Sequence, residues 1–228
     1  MLLQIDTLQN ALLTPETPTD EAINLIDLLM KGGWVMVVLL LLSFVTVYLF
    51  VQKIIILTKA SKTSPGFMEQ IRTLVLNGDI NAAKMLCQRE NTPTARMIEK
   101  GLSRLGTPLK NIEAAIENVG RIEIYKLEKN LPLLATISGA APMIGFLGTV
   151  TGMIKAFMRI AELKSQVTPG DLSTGIYEAM ITTAAGLVVG IIAYLAYNYL
   201  VTKVQKVIHE MEYSSIHFMD LLQEPTKV

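Results

Sequence analysis

Three runs without a charged residue, 32–52, 130–154 and 179–202, constrain this chain more than any other feature. Each exceeds the roughly 18 residues above which an apolar stretch reads as a membrane-spanning helix. At about 1.5 Å per residue the middle run makes a helix of roughly 37 Å, against a hydrocarbon core of about 30 Å. The predicted fold class is therefore all-α: an integral membrane protein with three transmembrane helices and long helical extensions. Composition agrees, with 51% hydrophobic residues, 18% charged and a formal net charge of +0. A balanced charge gives no basis for a nucleic-acid partner.

The segments between the runs set the expected layout. Residues 1–33 form an outer N-terminal segment whose stretch 20–30 has the pattern of an amphipathic helix. Spans are expected over 34–57, 131–154 and 179–202, joined by a helical domain at 58–130 and an outer turn at 155–178 around Thr168-Pro169-Gly170, with a C-terminal helix over 203–228. The first run is not read as a cleaved signal peptide, because the acidic residues Asp6, Glu16, Asp20, Glu21 and Asp27 precede it without a basic region. Most of the 20 Lys and Arg lie between 53 and 130. The positive-inside rule then puts the N-terminus outside, and the helical domain and C-terminus in the cytoplasm. The single cysteine, Cys87, falls in that domain and reads as an apolar core residue, with no disulfide possible within the chain.

The three spans differ in kind. The first, from Trp34 to Val51, is large and apolar nearly all round, as suits a peripheral helix facing lipid, with Trp34 at the outer interface and Lys53 at the inner one. The second carries small residues at Ser138, Pro142, Gly145, Thr149, Gly152 and Ala156, with Gly148 beside them, and the third at Gly175, Ala179, Thr183, Gly186, Gly190 and Ala193. The three-and-four rhythm keeps one narrow face toward a partner helix, where small side chains let backbones approach. Gly145, Gly148, Gly152, Gly186, Gly190 and Pro142 are thus the expected helix-packing positions. In the cytoplasmic domain, Asn77-Gly78 ends one helix, Asp79 caps the next and Thr92-Pro93 begins another. From Pro108 to Lys129 a helical pattern places Ile112, Ile116, Val119 and Leu127 against Glu113, Glu117, Glu123 and Lys126. One long helix is expected to run from it into the second span, bent near Pro132 and Pro142.

Few polar groups lie in or beside the spans. Glu178 begins the third run. A lone carboxylate in a membrane costs from roughly 2.5 kcal/mol upward, so it is either paired or facing water in a bundle interior, or it is an interfacial acid in the first turn of a helix. Thr149, Thr151, Thr182 and Thr183 can return their hydroxyls to the carbonyl one turn back, which makes packing the default reading of each. Thr149 and Thr183 stand out because both lie on the small-residue stripes, where hydroxyls facing an interior can solvate a passing ion. No phosphate-binding loop, nucleophile triad or His/Cys cluster occurs, and His209 and His217 read as ordinary helix residues, so neither enzymatic activity, cofactor nor metal is expected.

These residues carry a resemblance. The stretch from Ala141 through Gly145-Phe-Leu-Gly-Thr149-Val-Thr-Gly152 to Phe157 resembles the second-span motif of the ExbB/TolQ/MotA family of proton-channel subunits. Glu178-Ala-Met-Ile-Thr-Thr-Ala-Ala-Gly-Leu187, continuing to Tyr197-Asn198, is similar to its third-span motif. Three spans with an outer N-terminus resemble the ExbB and TolQ branches, ExbB the more closely, rather than the four-span flagellar stator subunit. The resemblance implies a homopentamer in the bacterial inner membrane around a pair of single-span ExbD/TolR-like partner helices that supply an intramembrane aspartate. It also implies coupling of the proton motive force to a TonB-like envelope protein, with a Tol-type role or a passive helix-packing scaffold as the alternatives. Thr149 and Thr183 fall on the family's pore-facing threonines and Glu178 on its important glutamate. Thr182, adjacent, joins the expected ion-pathway lining and leaves sodium open beside the proton. The sequence departs from the family at Gly190-Ile-Ile-Ala193, where a proline is usual, which predicts a straighter lower third span. A solute-transporter subunit is disfavoured because no internal repeat is present.

Overall fold

The computed structural model describes residues 33–62, 64–163 and 169–223, and every element among them is an α-helix. In chain order these are α1 (Gly33–Ala60), α2 (Phe67–Leu76), α3 (Ile80–Glu90), α4 (Pro93–Leu102), α5 (Leu109–Glu128), α6 (Leu131–Leu163) and α7 (Pro169–Gln223). Three of them, α1, α6 and α7, contain stretches long and apolar enough to cross a membrane. The chain is all-α, with three spans and longer helical extensions. The amphipathic stretch expected over 20–30 and turn residues 164–168 lie outside the described residues.

Both inner spans outrun their charge-free segments. Helix α6 continues through Lys155 and Arg159 to Leu163, and α7 is already helical at Pro169, so most of the expected outer turn is helix. Lys, Arg, Glu and Met are good helix formers, and leaving the apolar run does not by itself end a helix. At its other end α7 is unbroken for 55 residues, roughly 80 Å, as expected where no proline interrupts Gly190–Ala193. Pro142 is accommodated inside α6, and Gly190 of α7 lies where a Cβ would come within 2.7 Å of the Pro142 Cδ. Gly190 therefore makes room for that ring.

The second span does not grow straight out of α5. Helix α5 stops at Glu128, Lys129 is extended (ψ 134°), Asn130 is left-handed (φ 71°), and α6 starts at Leu131 with Pro132 in its first turn. Asn tolerates the left-handed region and Pro suits a first turn, so the break falls at 129–130 rather than at Pro142. The smaller helices follow their caps. Asp79 accepts a hydrogen bond from the Ala82 amide (3.0 Å) and Thr92 from the Ala95 amide (3.3 Å) with Pro93 beginning α4, while Gly78 supplies the positive φ that ends α2.

A main core runs from the inner halves of the spans into the extensions, joining Leu57, Leu134 and Leu200 to Ile71, Ile98, Ile116 and Phe218. A second cluster, including Val35, Leu39, Ile137, Ala141 and Ala193, ties α1 to α6 and α7. Helix α1 packs through Leu39, Thr46, Leu49 and Leu57 and leaves Val37, Leu41, Phe44 and Tyr48 uncovered. That is the greasy outer helix its composition predicts.

Two charged groups depart from expectation. Lys53, read as an interfacial lysine, is buried, and its ammonium donates to the Leu127 and Lys126 carbonyls at the end of α5. Glu123, placed on the charged side of α5, is buried between Arg96 Nη2 (2.5 Å) and Lys126 Nζ (2.7 Å). Burial pushes its carboxyl up, but hydrogen bonds and charge from Arg96 and Lys126 outweigh that and hold it below the usual glutamate range.

Candidate functional site

The stripes of α6 and α7 meet each other within one chain. A Cβ on Gly145 would lie 2.8 Å from the Thr182 carbonyl oxygen and 3.1 Å from the Gly186 Cα, and one on Gly186 would lie 2.7 Å from the Ala141 carbonyl oxygen. Further along, Gly152 faces Ala179 and Gly175 faces Ala156. The backbones come this close only because the side chains are missing, which is how dispersion contacts accumulate where the solvent is lipid.

Thr149 and Thr183 are brought together across this seam. Their hydroxyls are hydrogen-bonded to each other, Thr149 Oγ1 lies 3.1 Å from the Ala179 carbonyl oxygen, and Thr183 Oγ1 lies 3.2 Å from that of Gly145. Two hydroxyls and two carbonyls thus cluster in an otherwise apolar stretch. The Ala179 carbonyl takes the Thr182 hydroxyl as well, so a third hydroxyl borders the group. Both threonines are half-buried, leaving one side of the group open. Each carbonyl also accepts its own helical bond, which polarises it.

The other expected residues sit elsewhere. Thr182 is fully buried, donates to the Ala179 carbonyl that Thr149 also reaches, at 2.8 Å, and packs against Gly148. Thr151 returns its hydroxyl to Leu147 and Gly148 of its own helix. Glu178 lies toward the N-terminal end of α7, five residues or roughly 7.5 Å of helix from Thr183. Its Oε1 is 3.4 Å from Lys155 Nζ and lies 2.8 Å from where a Cβ on Gly33 would be. The acid is half-buried, paired with α6 and close to the start of α1, at the point where all three spans converge.

No acid lies within the charge-free runs, so the seam offers polar oxygens without a titrating carboxylate. Among the described residues there is no cluster of His, Cys, Asp or Glu that could ligate a metal. Sequence reasoning missed the Lys53 and Arg96–Glu123–Lys126 contacts. The usable signal was Asn130 followed two residues later by Pro132, a helix stop that leaves carbonyls in need of a donor.

Comparison with known proteins supplies a family. The family model described as the MotA/TolQ/ExbB proton channel family matches residues 89–213, which include the end of α3, all of α4 to α6 and most of α7. The Tol-Pal system protein TolQ of Haemophilus influenzae is 32% identical over 212 residues, covering 85% of this chain and 90% of the relative. The biopolymer transport protein ExbB of Aquifex aeolicus is 32% identical over 151 residues, covering 66% of this chain and 94% of the relative. A putative biopolymer transport protein ExbB homolog of Methanothermobacter thermautotrophicus is 28% identical over 194 residues, covering 83% and 67% respectively. These likenesses are to channel and transport proteins rather than to enzymes.

Proposed function

This chain belongs to the MotA/TolQ/ExbB proton channel family, and on that premise we propose that it is the housing subunit of an ion-driven complex that does mechanical work on an envelope protein. The observation that carries the reading is the Thr149–Thr183 hydroxyl pair, open on one side and backed by the Gly145 and Ala179 carbonyls. Such a group can solvate a proton or small cation in transit but cannot store it, because no carboxylate lies in the charge-free runs. The storing acid comes from a partner: a single-span ExbD/TolR-like helix with an intramembrane aspartate, enclosed by several copies of this chain, five by family likeness. One charge crossing 100 mV releases about 2.3 kcal/mol, several times thermal energy and enough to turn a loosely held helix pair. Glu178, paired with Lys155 at the outer end, is the entrance group, and Thr182 serves packing against Gly148 rather than the pathway. The N-terminus lies outside, with α2 to α5 and the end of α7 in the cytoplasm.

Within the family a Tol-type role is favoured over the TonB-type role the sequence motifs first indicated. Its support is that the TolQ of Haemophilus influenzae matches 85% of this chain, against 66% for the equally identical ExbB of Aquifex aeolicus. Co-purification of the chain with neighbouring membrane proteins separates the two, since each type implies its own single-span partner. The channel reading is tested with that complex in vesicles holding a pH-sensitive dye. Wild-type complex should pass protons under an imposed potential, and the Thr149→Val, Thr183→Val double variant should assemble yet conduct at least about tenfold less. Equal conduction by the double variant rejects the pathway. Assembly lost by glycine variants with Glu178→Gln silent would leave a passive scaffold.

A further inference from the structure

Where α1 and α7 leave their apolar runs, a cleft of about 200 Å³ opens between them. Ile54 and the exposed Tyr199 line it, the buried Leu57 and Leu200 close its floor, and the exposed Lys62, Lys203 and Lys206 rim it. Lys203 is the first charge after the run 179–202, so the cleft straddles the level at which hydrocarbon gives way to water. No carboxylate lines it, and none of the three lysines forms an ion pair among the described residues. Lys203 and Lys206 stand three apart on one face of α7, a like-charge spacing that destabilises a helix unless an anion lies between them. The Lys203 ammonium sits 5.6 Å from the centre of the Tyr199 ring, which holds it at the apolar boundary with its remaining donors uncommitted. Ser61 adds a hydroxyl to the same rim. The neighbouring clefts along α7 are different, since Glu69 and Glu210 line one and Glu69 and Asp220 offset Arg72 and His217 in the other.

From this we infer that the α1–α7 cleft binds the phosphate headgroup of an anionic phospholipid, its acyl chains lying along Ile54 and the exposed Tyr199. A phosphate bridging Lys62 of α1 and Lys203 and Lys206 of α7 makes charge-assisted hydrogen bonds to both helices and neutralises the repulsion within α7. A free phosphate would satisfy the lysines but leave Ile54 and the exposed Tyr199 ring uncovered, so the lipid is the better match to the whole cleft. The consequence is a lipid that pins the greasy outer helix to the long inner one at the membrane boundary. The site is separate from the Thr149–Thr183 group and does not depend on which ion passes there.

The test uses the full chain, purified with whatever partner accompanies it, reconstituted in bilayers of phosphatidylcholine with or without one-fifth phosphatidylglycerol. After delipidating washes, lipid retained per chain is measured by mass spectrometry, and the unfolding midpoint is recorded. Phosphatidylglycerol should be retained preferentially and raise the midpoint. Joint Lys62→Gln, Lys203→Gln and Lys206→Gln substitution should reduce retention at least about tenfold, while Lys84→Gln, Lys100→Gln and Lys110→Gln, with the same charge change, should not. Should the cleft triple variant fail to fold, Lys206→Glu alone should lower retention and Lys206→Arg preserve it. Equal loss in the control triple would reduce the effect to general surface attraction and overturn the site. Equal retention of phosphatidylcholine, or equal stabilisation by inorganic phosphate alone, would overturn it as a site for an anionic lipid.

Discussion

The Lys53 ammonium lies 2.7 Å from the carbonyl oxygen of Leu127, joining the C-terminal part of α1 to the last turn of α5. It also donates to the Lys126 carbonyl at 3.2 Å, so one buried lysine serves two of the carbonyls that a helix end leaves without partners. The ammonium sits at the negative end of the α5 dipole, which favours it there. Immediately beyond, Lys129 and Asn130 turn the chain into α6. Replacing Lys53 by Met keeps the apolar stem and removes the donor. The expected outcome is a loss of about 1–3 kcal/mol, concentrated at this junction. Hydrogen exchange at amides 127–132 should accelerate about tenfold or more while the α6–α7 seam stays protected. Unchanged exchange there would mean that the contact contributes nothing.

Glu123 gives the bundle outside the spans a predictable pH dependence. Burial works against its ionisation, but Arg96 and Lys126 more than offset this, so its folded pKa lies below that of the unfolded chain, about 4.3. For a depressed carboxylate the stabilisation is complete above the unfolded pKa and disappears as pH falls through the folded one. The contribution of Glu123 should therefore be flat from pH 7 down to about 5 and be lost in more acid solution. Glu123→Gln removes that acid-side loss and leaves the half-buried Arg96 without its anion. Denaturant unfolding at pH 7 and pH 4 checks both, since the gap between variant and wild type must narrow at the lower pH.

The spans and the seam were legible in the sequence because a membrane restricts composition so severely. Charge-free runs can only be spans, and small residues repeating at three and four can only be a close face, which is where Gly145 and Gly186 meet. The caps at Asp79 and Thr92 were readable because each bond spans three residues. The destinations of Lys53 and Glu123 were not, because their partners come from other helices, 74 residues away at Leu127 and 27 away at Arg96. Local periodicity carries no trace of such contacts. Thr182 and Thr183 illustrate the same limit at one position. Neighbours on a helix are about 100° apart, so one faces the Thr149 hydroxyl and the other is buried at Gly148, and only the partner helix decides which.

Glycine substitutions separate the seam within a chain from contacts between chains. A Cβ at Gly145 or Gly186 meets backbone atoms at 2.7–3.2 Å, and backbone cannot swing aside as a side-chain tip can. Gly145→Ala and Gly186→Ala should each force α6 and α7 apart at a cost of about 1–3 kcal/mol, read as a lower midpoint of detergent unfolding. Gly139 has nothing within 4 Å of where its Cβ would lie. Gly139→Ala should therefore stabilise the helix by up to about 1 kcal/mol through propensity alone. If it instead breaks up the oligomer, that face of α6 meets another subunit.

Cys87 should be inert in the folded protein. It is buried, and burial together with the Glu99 charge pushes its thiol up to about 12. Only the thiolate reacts appreciably with alkylating reagents, so labelling by iodoacetamide at pH 8 should be at least about a hundredfold slower in native than in denatured protein. Quantitative native labelling within minutes would show that α3 opens readily from the bundle.

The Thr149–Thr183 pair allows packing and ion passage to be told apart within one set of variants. Each hydroxyl has a second partner, the Ala179 carbonyl for Thr149 and the Gly145 carbonyl for Thr183, so losing either threonine's oxygen leaves the other satisfied. Valine preserves the branched shape, and each single Thr→Val substitution should therefore cost no more than about 1 kcal/mol of stability. The double variant should be less destabilised than the two singles summed, because both remove the same shared bond. Conduction should follow another pattern. If the cluster solvates the ion, each single variant lowers flux and serine at either position restores it. If the hydroxyls only pack the seam, flux stays at the wild-type level in every variant that assembles. Measuring unfolding midpoint and vesicle flux on the same preparations decides between the two, since only a pathway makes flux fall where stability does not.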